Sequence, residues 1–233
     1  MAGGPHREHP ELTHHPMIRP LYIFGTGGFA RETYWLVSDI NRKEPTFEVM
    51  GFIDRSRDRE AIMVDGRAVP VLVEAEVMNG LPVASELVIG IGDPRVIARL
   101  HGAYRGIFKF ANLVHPTVAG YFATIRLGEG NIVTAGCIFT LDIVVGDCNI
   151  FNLHTTVGHD AVIGSYNVMN PGVNISGGVK LGDRNLLGTN AAVLQDITIG
   201  DDNVVGASAM VNRHVESSVV TVGVPARVIK QRT

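Results

Sequence analysis

The chain has 233 residues, 45% of them hydrophobic, and 20 Lys and Arg against 23 Asp and Glu leave a net charge of −3. That content fills the core of one large or two modest domains, and without a basic run it argues against nucleic acid as a partner. No apolar stretch reaches the roughly 18 residues of a membrane span. Cys137 and Cys148 form neither a C-x-x-C motif nor a disulfide framework, which fits a reducing cytoplasm.

Residues 1–19 hold four of the nine histidines and three prolines without apolar periodicity. They read as a disordered lead, His14 and His15 as part of a polar tail, and Met17 as an alternative natural start.

From residue 20 to about 110 the pattern alternates between strand and helix. A short buried strand at 21–24 runs into Gly25, Thr26, Gly27 and Gly28, and an amphipathic helix starts across Glu32 to Val37. A second strand, FEVMGFID, ends on Asp54, a third covers 69–73, and ELVIGIGD at 86–93 is a fourth. Such alternation predicts a small parallel sheet with helices on its faces. GTGGFA fits the G-x-G-x-x-A dinucleotide fingerprint, with acidic Asp54 placed 24 positions after Ala30. About 90 residues are too few for two mononucleotide halves. The reading is therefore a half-Rossmann-like domain with half a site, GIGDPR at 90–95 closing the same crevice, while glycines that only make a tight turn remain the alternative.

Over residues 111–222 the period becomes six. Every sixth residue from Leu127 to Val211 is apolar, and the phrases LGEGN, VGDCN, IGSYN, LGDRN and IGDDN start 18 residues apart, at 127, 145, 163, 181 and 199. Neither a helix nor a simple strand produces this, whereas three short strands per turn of a triangular prism do, with turns stacked about 4.8 Å apart. Asn131, Asn149, Asn167, Asn185 and Asn203 should then stack as a ladder at a corner. Cys137 falls in a small-residue core register, and Cys148 reads as a free thiol. His154 and His159 lie outside the inward registers, which leaves each as a surface histidine or an outward base.

The hexapeptide pattern resembles the left-handed parallel β-helix of the hexapeptide-repeat acyltransferases. Together with the glycine-rich front domain, VGHD at 157–160, PGVNISGGVKLG at 171–182 and VGVPARVI at 222–229, the chain is similar to the bacterial sugar N- and O-acetyltransferases, including those of the bacillosamine, perosamine and sialic acid type. The resemblance implies an acetyl-CoA-dependent N-acetyltransferase acting on a nucleotide-linked amino sugar in surface polysaccharide biosynthesis. It also implies a homotrimer with acetyl-CoA between neighbouring β-helices. By that likeness His159 is the general base and Asp160 its acidic partner. Gly177 offers its amide to the thioester oxygen, Gly178 extends the clear patch, and Asn152 lies near the acceptor sugar. Gly25, Thr26, Gly27, Gly28 and Asp54 hold the nucleotide, and no metal is required. One departure is Val168, which stands where the family often carries a second histidine on the CoA side.

Four other readings fit parts of the sequence. An O-acetyltransferase differs only in the acceptor atom. A γ-carbonic-anhydrase-like metalloenzyme shares the five-residue spacing of His154 and His159, but Val118 occupies the place of its third ligand, with His115 nearby. An NAD-dependent reductase lacks a second nucleotide half. A non-catalytic nucleotide-sugar-binding scaffold would not need His159. Residues 223–233 read as a C-terminal tail.

Overall fold

The structure, a computed structural model, describes residues 18–56 and 58–232. His14, His15 and the other residues of the expected lead up to Met17 lie outside them. Arg19, placed in that lead by the sequence, begins the first strand instead, and its guanidinium pairs with buried Glu86 at 3.0 Å.

The front domain runs β1 (Arg19–Phe24), α1 (Gly28–Lys43), β2 (Phe47–Asp54), β3 (Ala61–Val64), β4 (Arg67–Val73), α2 (Glu74–Val77), β5 (Glu86–Ile89), α3 (Pro94–Tyr104) and β6 (Lys109–Phe110). Its sheet has the order β3-β4-β2-β1-β5-β6, parallel except for the β3–β4 hairpin. α1 is longer than expected, starting four residues before Glu32, because Gly27 caps it directly after the turn. Sequence reading missed β3, α2, α3 and β6. α3 carries its own start signal: the Asp93 carboxylate accepts from the Arg95 and Val96 N–H groups, with proline at the first helical position.

From Leu113 the chain winds into the expected left-handed parallel β-helix with three sheets. The first face stacks Leu113–Val114, Ile132–Val133, Ile150–Phe151, Val168–Met169, Leu186–Leu187 and Val204–Val205. The second face contains Thr156–Val157 and the third Val162–Ile163, and their ladders also pair residues 18 apart, as in Thr156 with Asn174 and Val162 with Lys180. Fourteen of the fifteen period-six residues, Val133 to Val211, are at most 3% exposed.

Each corner depends on one left-handed residue. Fourteen consecutive positions six apart, from Gly130 to Ser208, have positive φ; four are glycine and five are Asp or Asn, the residues that adopt this conformation at least cost. The ladder asparagines lie one position past these residues rather than in the left-handed position itself, and they point inward, fully buried. From Asn131 to Asn185 each Oδ1 accepts from the backbone N–H of the next asparagine, and up to Asn167 also from its Nδ2, as in Asn167 Nδ2 to Asn149 Oδ1 at 3.0 Å, while the Asn203 Oδ1 accepts from the Val219 N–H. Cys137 fills the same interior register at 0% exposure, and Cys148, also buried, is a thiol whose pKa burial raises. Residues 223–233 are more than a tail: Arg227–Gln231 pairs antiparallel with Val219–Val222 and closes the first sheet.

The front domain straddles the first face. Ile132, Ile150 and Val168 point outward from that face, yet they are at most 3% exposed because they share a core with Phe110, Leu113 and β1. Helix α1 follows the corner after the first face, where His115 Nε2 meets Asp39 Oδ2 at 3.1 Å. α3 follows the corner before it, where buried His101 contacts Glu129 and Tyr166, each at 3.0 Å.

The ladder predicts unequal costs for equal substitutions. Asn167→Ala strands the buried Asn185 amides and should cost roughly 2–3 kcal/mol in urea unfolding. Asn203→Ala should cost less, because it strands only the Val219 N–H, and the Asn203 Nδ2 has no partner among the described residues to lose.

Candidate active site

His159 precedes the left-handed corner residue Asp160, φ 59°, at the end of the second face. Adjacent residues on a regular strand point to opposite sides, but the corner folds the two side chains together, and His159 Nδ1 lies 2.7 Å from Asp160 Oδ2. Both remain open to solvent, at 52% and 67% side-chain exposure. A carboxylate only accepts, so this contact fixes the Nδ1–H tautomer and leaves the Nε2 lone pair free.

One coil on, Gly177 lies against the imidazole. A Cβ there would sit 2.7 Å from His159 Nε2 and Cε1, so only glycine leaves the ring in place. The Gly178 N–H donates to the His159 carbonyl at 2.8 Å and is spent on the fold. The Gly177 N–H, by contrast, has no acceptor among the described residues. The corner thus brings together an imidazole, a carboxylate that orients it and one unspent backbone donor.

The glycine turn separates structural from open positions. Gly25, φ +100°, packs against Ile91 and tolerates no side chain, whereas Gly27 and Gly28 face empty space at the first turn of α1. There the first N–H groups of the helix, which have no intrahelical acceptor, point out at the carboxyl end of β1, a geometry suited to an anion. Thr26 donates its hydroxyl to Asp54 Oδ2 at 2.5 Å, and the Arg55 N–H donates to Oδ1. Beside them lies a cavity of about 190 Å³ lined by Asp54, Arg55, Ile91 and Arg99. Of GIGDPR, Ile91 and Gly92 border crevices, while Asp93 is committed to capping α3. A more open cavity of about 650 Å³ lies at the amino ends of β2 and β4, lined by Phe47 and Arg67. Open α/β sheets bind ligands at the other end, at the carboxyl ends of their strands.

Asn152 lies at the preceding corner of the same coil. Its Oδ1 accepts from the Leu153 N–H, and its side chain borders two cavities under α1. Val168 is 3% exposed beneath the front domain, beside Phe29 and Gly92 and away from the His159 corner. His154 holds a left-handed corner, its ring over Gly136. Among the described residues no group of three or more His, Cys, Asp or Glu is placed to hold a metal ion.

Gly177→Ala therefore should displace the imidazole while the coil stays folded. The His159 ring resonances in NMR should shift strongly, with the melting temperature moving by a few degrees at most.

Residues 20–102 match the family model of the PglD N-terminal domain. Among solved structures, PerB from Caulobacter crescentus, in complex with CoA and GDP-perosamine, is 31% identical over 91% of this chain and 98% of its own, with a TM-score of 0.78. The acetyltransferase domain of PglB from Neisseria gonorrhoeae, in complex with acetyl coenzyme A, shares the fold at 24% identity, over 91% of this chain and all (100%) of its own, with a TM-score of 0.80. WeeI from Acinetobacter baumannii does so at 24% identity with the same coverage and a TM-score of 0.78. No curated protein matches the sequence. At this identity and coverage with the Caulobacter enzyme, the chain belongs to the bacterial hexapeptide-repeat sugar acetyltransferase family.

Proposed function

We propose that the chain transfers the acetyl group of acetyl-CoA to the amino group of a nucleotide-linked amino sugar by direct attack, with His159 as general base. The observation that carries this reading is the corner itself: an imidazole with a fixed tautomer, held by Asp160, next to a glycine whose N–H is unspent. The PerB structure with CoA and GDP-perosamine supports the substrate class.

The amine lone pair attacks the thioester carbonyl carbon, and the carbonyl electron pair moves onto oxygen, where the Gly177 N–H donates to it. His159 Nε2 takes the proton that the nitrogen must lose, and Asp160 stabilises the resulting imidazolium. The oxyanion then collapses, the carbon–sulfur bond breaks, and the imidazolium returns the proton to the departing CoA thiolate. Every atom is accounted for without a covalent enzyme intermediate. In the front domain, the open turn at Gly27 and Gly28 receives the acceptor's diphosphate at the helix N-terminus, with Thr26 and Asp54 at the nucleoside.

The same reading makes the active form a homotrimer with its sites between adjacent β-helices. Two features support it. Ile138, Leu141 and Val162, each 45–47% exposed, give the uncovered faces beside His159 an apolar surface. Asn152 and His159 of one chain also occupy different edges of the prism, so chains packed side by side can bring one chain's acceptor cleft to a neighbour's imidazole. The setting proposed is the cytoplasm, as a step in surface polysaccharide biosynthesis. No helix among the described residues is long and apolar enough to cross a membrane.

His159→Ala should lower kcat roughly a hundred- to ten-thousand-fold with the fold retained, and Asp160→Asn should cost less. Thiol release from acetyl-CoA with a panel of UDP-, GDP- and dTDP-linked amino sugars is the assay. Unchanged turnover in His159→Ala would remove this residue from the role of base.

A further inference from the structure

Two cavities, of about 180 and 200 Å³, lie between α1 and the corner at Asn152, and both are lined by Glu32 and Asn152. The two cavities adjoin at these side chains and form two arms of a cleft under α1. One arm reaches Phe29 and Gly92, next to the glycine turn; the other lies beside Trp35, over Leu36, Ala135 and Leu153. We propose that this cleft seats the hexose ring of the acceptor, with Glu32 and Trp35 as specificity-determining residues. The inference rests on the nucleotide-sugar reading above.

Three observations carry it. Glu32 is exposed in the cleft and has no partner among the described residues, whereas Asp39, further along α1, is engaged by Arg42 and His115. Trp35 is the only tryptophan of the chain and is 49% exposed, although its neighbours Tyr34, Leu36 and Val37 are buried. An indole left open on a cavity wall presents an apolar face to the C–H face of a sugar, while a free carboxylate accepts from two vicinal hydroxyls, and an amide completes the rim. Spacing supplies the third argument. Gly28, Glu32 and Trp35 fall on one stripe of α1, and at 1.5 Å per residue Glu32 lies about 6 Å and Trp35 about 10 Å along the axis from the helix start. A diphosphate held at Gly28 would therefore place the attached ring beside Glu32, with its far side at Trp35.

The single tryptophan gives a direct readout. GDP-perosamine and UDP- and dTDP-linked amino sugars are first tested by calorimetry with the wild-type protein, alongside the free nucleoside diphosphates. The sugar nucleotide that binds should change Trp35 fluorescence, and its free nucleoside diphosphate should not. Glu32→Gln should raise KM for the nucleotide sugar roughly tenfold or more, leaving KM for acetyl-CoA, affinity for the free diphosphate and the melting temperature unchanged. Glu32→Asp should recover part of the loss, and Trp35→Phe should bind better than Trp35→Ala. Calorimetric saturation with no fluorescence change, or an unaltered nucleotide-sugar KM in Glu32→Gln and Trp35→Ala, would overturn the assignment. Failure of every nucleotide sugar to bind the wild-type protein would instead bring down the functional reading on which it rests.

Discussion

One backbone constraint underlies the catalytic half of this protein: every sixth residue must turn through the left-handed region so that three flat strands close a coil. Once that is satisfied, the rest is forced. The residue after the corner points inward into a narrow space that admits Asn, Cys, Ala, Thr, Val or Ile, and the residue two further on supplies the larger apolar filling, Phe139 and Phe151 included. The residue before the corner points out; ahead of the first face it holds a second ladder, in which Asp147, Ser165 and Asp183 accept from the backbone N–H one coil back and Glu129 meets His101, whereas at the corner after the second face no side chain is used in this way among the described residues. His159 occupies such a position, and the left-handed turn at Asp160 brings a neighbouring carboxylate onto the same side as the ring. The imidazole is therefore held by the geometry that closes the coil, with no loop built for the purpose.

The second constraint is the seating of the front domain. It covers one face of the prism and grips both flanking corners through imidazole–carboxylate contacts, Asp39 with His115 on α1 and His101 with Glu129 on α3. Glu129, Tyr166 and His115 all belong to the first three turns of the β-helix, so the glycine turn and the cleft under α1 hold a fixed position relative to those turns. The two remaining faces stay free, and they carry the exposed aliphatic residues.

Much of this was legible in the sequence because it repeats. Period six identifies the interior, and departure from it sets His159 and His154 outside. The half-Rossmann pattern and the glycine turn were also legible, since turn chemistry is local. The corner pairing of His159 with Asp160 depended on knowing which residue takes positive φ, and the asparagines were assigned to that turn when they lie one step beyond it. The docking of the two domains was missed, because His101, Glu129 and Tyr166 are far apart in the chain and share no pattern. A signal for the covered face was nevertheless present. The pairs at 132, 150, 168, 186 and 204 are apolar at both residues, whereas on the other two faces the outward residue includes Arg126, Thr156, Asn174 and Lys180. A strand apolar on both sides is buried on both sides.

The ladder of residues paired 18 apart also sets how the molecule can change size. Insertion or loss of one residue inside a coil would turn every later side chain to the wrong side, whereas insertion or loss of a whole coil beyond the fourth, which carries Val168 and Gly177, would preserve the interior, the front-domain core contacts of Ile132, Ile150 and Val168, and the His159 corner. Length is thus quantised in units of 18, and the turns distant from His159 are the part of the chain that can be lengthened or shortened without rebuilding the site.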